Sequence, residues 1–368
     1  MSFSILRWGI LGTAGIARRN WLAIRLSGNG VIVAVASRDL AKAAAFIAGC
    51  QAEAPFETAP RALGSYEALL ASPDVDAVYI PLPTGLRKEW VIRAAAAGKH
   101  VVCEKPCAPD AAGLREMLAA CRAHGVQFMD GVMFRHNGRL SRMRAVLDDP
   151  AGGVGPLRRI ESAFSFRAPD GFLAQNIRAQ SALEPLGCLG DLGWYCIQLS
   201  LWAAGWRLPA RVTGRMLASH RSPEPVPMEF SGELLFGDGL SAVFFCSFLA
   251  ANQQWAHFSG ELGRLLVDDF VLPYAGDQTA FELRRAEFRI AGCDFRMMPQ
   301  IWRLTIEEHG HGHPTAQETN LFRNFAGHVL AGKINDHWPD LALKTQLVLD
   351  ACLASSAADG LPVVVPAL

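Results

Sequence analysis

The chain has 368 residues, and its 35 Lys and Arg balance 35 Asp and Glu for a formal net charge of zero. At roughly 100–200 residues per domain, that length gives two domains or one large one, and the charge balance removes any long-range pull toward nucleic acid or an anionic membrane. With 51% hydrophobic and 19% charged residues, the chain is globular rather than disordered.

The opening stretch, Met1 to Arg7, has no basic n-region and runs directly into a strand, so no signal peptide is expected. Short apolar runs then alternate with helical patterns up to residue 131, the signature of βαβ units around a parallel sheet. Strands are predicted at Ile5–Leu11, Val31–Ser37, Asp76–Leu82, His100–Cys103 and Val126–Asp130. Helices follow the first strand through Arg25, start at Leu40 behind a capping Asp39, and run over Arg87–Ala97 until Gly98 stops them. Right-handed crossovers make such a sheet doubly wound. The Ala/Pro-rich stretch Gln51–Gly64 reads as irregular.

Beyond about residue 150 the pattern changes to successive strands of one largely antiparallel sheet: Leu157–Phe166, Ala210–His220, Met228–Phe236, Leu240–Leu249, Ala256–Val267 and Phe281–Ile290. One strongly apolar helix, Leu189–Ala204, interrupts them. Helices around Thr315–Gly332 and Asp340–Ala358 precede a final strand at Val363–Val365. The expected architecture is an α/β half at 1–131 and an α+β half at 132–368. The charge-free run Gly239–Gly260 is long enough to span a bilayer, but Ser241, Ser247, Asn252, Gln253, Gln254 and His257 make it too polar. Nine scattered cysteines form no disulfide framework and read as reduced thiols of a cytoplasmic protein.

Four places carry chemistry. The turn Gly12-Thr13-Ala14-Gly15-Ile16-Ala17 is a degenerate G-x-G-x-x-G/A fingerprint: Gly12 permits the turn, Ala14 lets backbone amides approach a pyrophosphate, and Ala17 allows close helix packing. The second strand ends in Ser37-Arg38-Asp39, where NAD-binding folds carry an acid for the ribose hydroxyls. Hydroxyl and guanidinium suit a 2′-phosphate, which favours NADP with NAD possible; the competing reading sends Asp39 to the ribose and Arg38 to solvent. Lys105, held before Pro106 at the end of a parallel strand, either points into the ligand crevice or forms a surface ion pair with Glu104. Asp191 and Tyr195 lie i,i+4 on one helix face. Tyr195 can move a proton if a nearby cation lowers its normal pKa of about 10; alternatively Asp191 caps the helix and Tyr195 is core. The His309-Gly-His311-Gly-His313 loop is too flexible to make a metal site, and no metal is expected. No nucleophile elbow, Walker lysine or H-E-x-x-H motif is present.

Together the degenerate Gly turn, the block Ala-Ala-Gly98-Lys-His-Val-Val-Cys-Glu104-Lys105-Pro106 and Gly190-Asp191-x-Gly193-x-Tyr195 resemble the Gfo/Idh/MocA oxidoreductase family. Gly64-Ser-Tyr-Glu-Ala-Leu-Leu70 and Asp76-Ala-Val-Tyr-Ile-Pro-Leu-Pro83 extend that resemblance over most of the chain. Gly193-Trp-Tyr-Cys-Ile-Gln198 is similar to the branch with glucose–fructose oxidoreductase and dimeric dihydrodiol dehydrogenase. The resemblance implies a Rossmann domain, an open C-terminal sheet that forms a homodimer or homotetramer, and hydride transfer between NAD(P) and a sugar, cyclitol or diol. It implies that Lys105 polarises the substrate hydroxyl, Tyr195 moves the proton, and Asp191 holds the substrate or the proton-transfer group. Arg178 would then reach the substrate cleft, while Pro81, Leu82, Pro83, Glu104, Lys105 and Pro106 line the dinucleotide. A non-catalytic NAD(P)-dependent regulator of the same fold is the alternative. The loop after Pro83 reads Thr-Gly-Leu-Arg87-Lys88 where members of that family often carry a His.

Overall fold

The computed structural model describes residues 5–172 and 176–368; residues 1–4 and the centre of the expected pocket loop, residues 173–175, lie outside the described residues. Strand β1 (Leu6–Leu11) ends at Gly12, whose φ of +107° turns the chain into α1 (Gly15–Leu26). After β2 (Gly30–Ala36), the Asp39 carboxylate accepts from Ala41 N at 2.9 Å and from Lys42 N, starting α2 (Leu40–Glu53). Then come β3 (Arg61–Leu63), α3 (Tyr66–Leu70), β4 (Ala77–Ile80), α4 (Thr84–Ala96), β5 (His100–Cys103), α5 (Ala111–Ala123) and β6 (Phe128–Asp130).

Among the described residues these six strands form one sheet in the order β3-β2-β1-β4-β5-β6, every pair parallel. The order reverses between β1 and β4, which opens a crevice at the carboxyl ends of the strands. Buried side chains alternate along the strands. Val78 and Ile80 pack with Val91 and Leu114 of α4 and α5, whereas Ala77 and Tyr79 face Trp21 of α1. The stretch Gln51–Gly64 is more regular than expected: α2 continues to Glu53, and Arg61–Leu63 is an edge strand too short to display an alternation.

A 3₁₀ turn (Met133–His136) and an unexpected helix α6 (Gly138–Asp148) lead to β7 (Leu157–Ser165). The single helix expected over Leu189–Ala204 is divided into a π-helical turn, Leu189–Gly193, and α7 (Trp194–Ala203). Strands β8 (Arg211–Arg221), β9 (Pro225–Leu235) and β10 (Ser241–Ser247) follow. The one strand expected over Ala256–Val267 is a pair, β11 (Gln253–Gly260) and β12 (Arg264–Val267), folded antiparallel with Phe258 opposite Leu265. Strand β13 (Thr279–Ala291) pairs with β14 (Asp294–Ile306), which the sequence reading missed. Helices α8 (Gln317–Leu330) and α9 (His337–Ala357) precede the short β15 (Val363–Val364). The nine strands of this second sheet, counted among the described residues, run β14-β13-β12-β11-β7-β10-β9-β8-β15, and only the β7–β10 pair is parallel.

Helices α7 and α9 cover the inner face of the second sheet. Gly214 on β8 donates its N–H to Ser355 Oγ of α9 at 2.9 Å, and a Cβ there would strike the Cys352 carbonyl. Helix α8 returns to the first sheet, where Phe322 and Phe325 each set a ring centroid 5.3 Å from that of Trp8. The far half of the β13–β14 ribbon stands clear of the body. Its register puts Phe288 opposite Met297, Ile290 opposite Phe295, and Arg284 opposite Ile301 on one face; Glu287 opposite Met298 and Arg289 opposite Arg296 occupy the other. The apolar members of the first face are all exposed.

Candidate active site

The crevice at the end of the first sheet deepens into a cleft of about 320 Å³, bounded by the Gly12 turn, the Pro81–Pro83 and Glu104–Pro106 segments, Asp191 and Tyr195. Lys105 leaves β5 at the floor and donates from Nζ to both the Asp191 side chain (Oδ1, 2.6 Å) and the Asp191 carbonyl oxygen (2.6 Å). Arg178 Nε donates to the other carboxylate oxygen, Oδ2, at 2.7 Å. Both Asp191 oxygens are therefore engaged by cations, and Asp191 does not cap the helix. The Lys105 ammonium also stands 4.7 Å from the centroid of the Tyr195 ring, in a cation–π arrangement.

Glycines make this approach possible. A Cβ on Gly190 would come within 2.6 Å of Leu186 Cβ and 2.9 Å of Pro106 Cγ, so only glycine lets the π-turn lie against the segment that carries Lys105. Asp191 sits at the middle of the π-turn, a local irregularity common at functional sites. Tyr195 projects from the first turn of α7 and is wedged edge-on against Phe164 (centroids 5.7 Å apart) and tilted against Phe134 (6.2 Å).

Charge pairing outweighs burial for the two central ions. Burial pushes the Asp191 carboxyl up, but Lys105 and Arg178 together hold it well below the usual carboxylate range. Burial lowers the Lys105 ammonium, and Asp191, together with Tyr195 and Glu104, more than restores it, so its pKa lies above the ordinary lysine value. Tyr195 behaves otherwise. Burial raises its hydroxyl above the usual tyrosine value, and Lys105 only partly opposes this. The lowering anticipated from the sequence is thus outweighed in the free protein.

The dinucleotide end fits an anion. Helix α1 begins with no side-chain cap and no acidic residue in its first turn, which leaves its amides and partial positive charge facing the cleft. Gly12 N donates to Ala36 O at 2.8 Å, so the tip of β2 lies beside the turn. There Ser37 is buried and Arg38 exposed, with no carboxylate within ion-pair distance of Arg38 among the described residues, while Asp39 is occupied by its cap. These residues suit a ribose 2′-phosphate.

Of the residues singled out from the sequence, Ala14, Gly15, Ile16, Pro81, Leu82, Pro83, Glu104, Lys105, Pro106, Arg178, Asp191 and Tyr195 all line the cleft. Gly12, Thr13, Ser37 and Arg38 lie beside it at the turn and strand tip. Asn20, Tyr79 and Glu184 also line the cleft and escaped the sequence reading. Glu104 is buried and accepts from Tyr79 Oη at 2.6 Å; Asn20 in turn donates to Tyr79 Oη at 2.6 Å. Asn20 on the apolar face of α1, and Tyr79 inside a Val/Ile strand, were the available signals. Glu184 accepts from Thr84 Oγ1 at 2.5 Å and Thr84 N at 3.1 Å, joining the two halves across the cleft. Arg87 is buried and donates to Leu82 O (2.7 Å), Thr84 Oγ1 (2.9 Å) and Pro106 O, bracing the cleft floor. A second cavity of about 510 Å³ opens on the other side of Lys105, Asp191 and Tyr195; Phe164, Phe166, Gln253, Gln254 and Tyr274 wall it, contributed largely by the second sheet. No group of His, Cys, Asp and Glu able to hold a metal occurs among the described residues.

Residues 6–132 match the family model described as "Oxidoreductase family, NAD-binding Rossmann fold", and residues 140–266 match the "GFO/IDH/MocA C-terminal domain". The chain is 35% identical over 260 residues to D-xylose 1-dehydrogenase (NADP(+)) 2 of Haloferax volcanii, covering 71% of this chain and 75% of that one. It is 32% identical over 260 residues to trans-1,2-dihydrobenzene-1,2-diol dehydrogenase of Bos taurus, covering 70% and 72%. A 3-ketoreductase from Actinomadura kijaniata, solved with NADP and TDP-benzene, superposes with a TM-score of 0.78 at 27% identity, covering 96% of this chain and 98% of that one.

Proposed function

The chain belongs to the Gfo/Idh/MocA oxidoreductase family, and we propose that it is an NADP-dependent enzyme acting on a carbinol or keto carbon of a sugar, cyclitol or diol. One observation carries the reading: Lys105, Asp191 and Tyr195 meet between a cleft suited to a dinucleotide and a second cavity open to substrate. The dinucleotide, when bound, supplies or accepts a hydride at nicotinamide C4. Gly12, Thr13, Ala14, Gly15 and Ile16 would hold its pyrophosphate, Ser37 and Arg38 its 2′-phosphate, and Pro81, Leu82, Pro83, Glu104 and Pro106 its nicotinamide half.

Lys105 donates to the reacting oxygen of the substrate, and its charge favours the oxyanion that develops there. Asp191 keeps Lys105 ionised and aimed, and Arg178 fixes the second Asp191 oxygen. Tyr195 gives the carbinol oxygen its proton in reduction and takes it back in oxidation. With its pKa raised, the hydroxyl is protonated in the free protein but is a weak acid, and Lys105 is the largest influence that lowers it toward proton transfer. The regulator reading is not favoured, because the relatives are dehydrogenases and reductases.

The same division, 1–131 for the dinucleotide and 132–368 for the substrate, fits the family models, with α8 crossing back over the first sheet. A homo-oligomer built on the second sheet is supported by the exposed apolar residues Phe288, Ile290, Phe295, Met297 and Ile301 on one face of the β13–β14 ribbon. All nine cysteines are free and eight are buried, in keeping with a reducing cytoplasm. Among the described residues no helix is long and apolar enough to cross a membrane. The test is NADP-linked turnover over a panel of aldoses, cyclitols and trans-diols, followed at 340 nm. NADPH formation with at least one member, abolished in Lys105→Met, supports the assignment; no turnover across the panel in either direction overturns it.

A further inference from the structure

Asp130 closes β6, is wholly buried, and lines neither the dinucleotide cleft nor the substrate cavity. A buried carboxylate is costly unless both oxygens are engaged, and here both are. Oδ1 pairs with Arg135 Nη2. Oδ2 accepts from Gln198 Nε2 at 3.0 Å and from Trp194 Nε1 at 3.4 Å. Trp194 and Gln198 are i,i+4 on α7, so Asp130 grips one full turn of that helix, the turn from which Tyr195 projects.

Two more links run from the same carboxylate. Arg135 belongs to the 3₁₀ turn that also carries Phe134, whose ring packs against Tyr195. Asp130 is paired in register with Cys103 on β5, two residues before Lys105, and the following Gly131 N donates to Cys103 O at 2.7 Å. The strand that bears Lys105, the turn that flanks the Tyr195 ring and the helix that bears Tyr195 thus converge on one side chain.

We propose that Asp130 is a positioning residue for the reaction: by holding Gln198 and Trp194 it fixes the Tyr195 hydroxyl relative to the Lys105 ammonium. It touches neither substrate nor cofactor and acts through α7. The inference rests on the assignment of Tyr195 as the proton-transfer group. The groups that face Tyr195 electrostatically are Lys105, Glu104, Asp191 and Arg19, so a drift of α7 changes its ionisation chiefly through Lys105, the largest charge influence on it.

The test uses the full-length protein with ¹³Cζ-tyrosine labelling, which gives four resonances for four tyrosines, Tyr195 being assigned by Tyr195→Phe. Gln198→Met removes the shorter of the two hydrogen bonds that hold α7, leaving the longer one from Trp194 and the Asp130–Arg135 ion pair; Asp130→Asn weakens all three. Loosening α7 moves Tyr195 relative to Lys105, the largest charge that lowers its hydroxyl, and shifts the Tyr195 titration upward from the parent's. In parallel, kcat on the active panel substrate falls roughly 10- to 100-fold, with KM and the NADPH dissociation constant within twofold of the parent. Should Asp130→Asn fail to fold, Gln198→Met decides alone. The proposal is overturned by a Tyr195 titration that superposes on the parent in the folded variants, or by kcat, KM and NADPH affinity declining together as in a general loosening. Tyr195→Phe separates the two levels. If it retains full turnover, the assignment of Tyr195 fails; if it is inactive while Gln198→Met keeps the parent's kcat, only the positioning role fails.

Discussion

Replacing Asp191 by Asn probes the charge arrangement most sharply. Its carboxylate meets Lys105 at 2.6 Å and Arg178 at 2.7 Å, and the side chains of Lys105 and Asp191 are only 10% and 16% exposed. Asn keeps the shape but leaves a buried ammonium without its counter-charge. Breaking a buried pair by removing one partner costs on the order of 3–5 kcal/mol, and the partial openness of the cleft places the expected loss near the lower end, about 3 kcal/mol at pH 7. The sign with pH follows from linkage. Asp191 is held below the ordinary carboxylate value, so its stabilisation is fully present above about pH 4 and is lost as acid protonates it. Lys105 is raised, so its share persists up to its unfolded pKa of about 10.4. Urea unfolding by tryptophan fluorescence should therefore give a constant gap between parent and variant from pH 5 to 9, narrowing below pH 4. The alkaline limb of kcat/KM should also move toward neutral by a unit or more, because burial lowers the unpaired Lys105. A gap absent at pH 7, or one that persists undiminished to pH 3, would refute the reasoning.

Three further outcomes are expected. Arg38→Ala should weaken NADP binding about 10- to 100-fold, the range of one charge-assisted hydrogen bond, and leave NAD affinity unchanged; fluorescence titration of both dinucleotides checks this, and equal losses would remove the 2′-phosphate role. Burial pushes the Asp350 carboxyl up to about 6, so the folded state loses stability as pH rises from about 4 to 6. Asp350→Asn should have a higher urea midpoint than the parent at pH 8 and match it below pH 4, with the unpartnered Gln346 Oε1 free to accept from the new amide. Met297→Glu with Phe288→Glu, on the exposed apolar face of the ribbon, should convert a homo-oligomer to monomer in light scattering with the melting profile of each subunit retained; an unchanged mass would exclude that face as the contact.

The nucleotide half was legible because each of its longer strands is a compact apolar run and each turn uses a residue with one obvious purpose. Gly12 takes a positive φ, Asp39 caps α2, and Gly98 stops α4. The omissions share one physical cause, which is that the deciding contact is distant in the chain. Strand β14 contains Pro299 and buries almost nothing against its own chain, so its alternating Phe295, Met297 and Ile301 lack a core to declare them. The π-turn depends on Gly190 meeting Pro106 and on Gly193 meeting Cys246, neither visible as a local propensity. The site was legible as a set, since Lys105, Asp191 and Tyr195 all reach one cleft. Its electrostatics were not, because Tyr195 is raised by a burial that only the packing of Phe134 and Phe164 creates. In sequence Arg87 belongs to the stretch after Pro83 and Asp130 ends a strand; burial makes both of them braces.

The central claim is that Lys105 and Tyr195 carry the proton chemistry beside a bound dinucleotide. Single-turnover hydride transfer, followed by stopped-flow absorbance at 340 nm with saturating NADP and the active panel substrate, measures that step directly. Lys105→Met and Tyr195→Phe should each slow it about 10²- to 10⁴-fold with unchanged NADP affinity. A single-turnover rate within threefold of the parent in either variant would contradict the account.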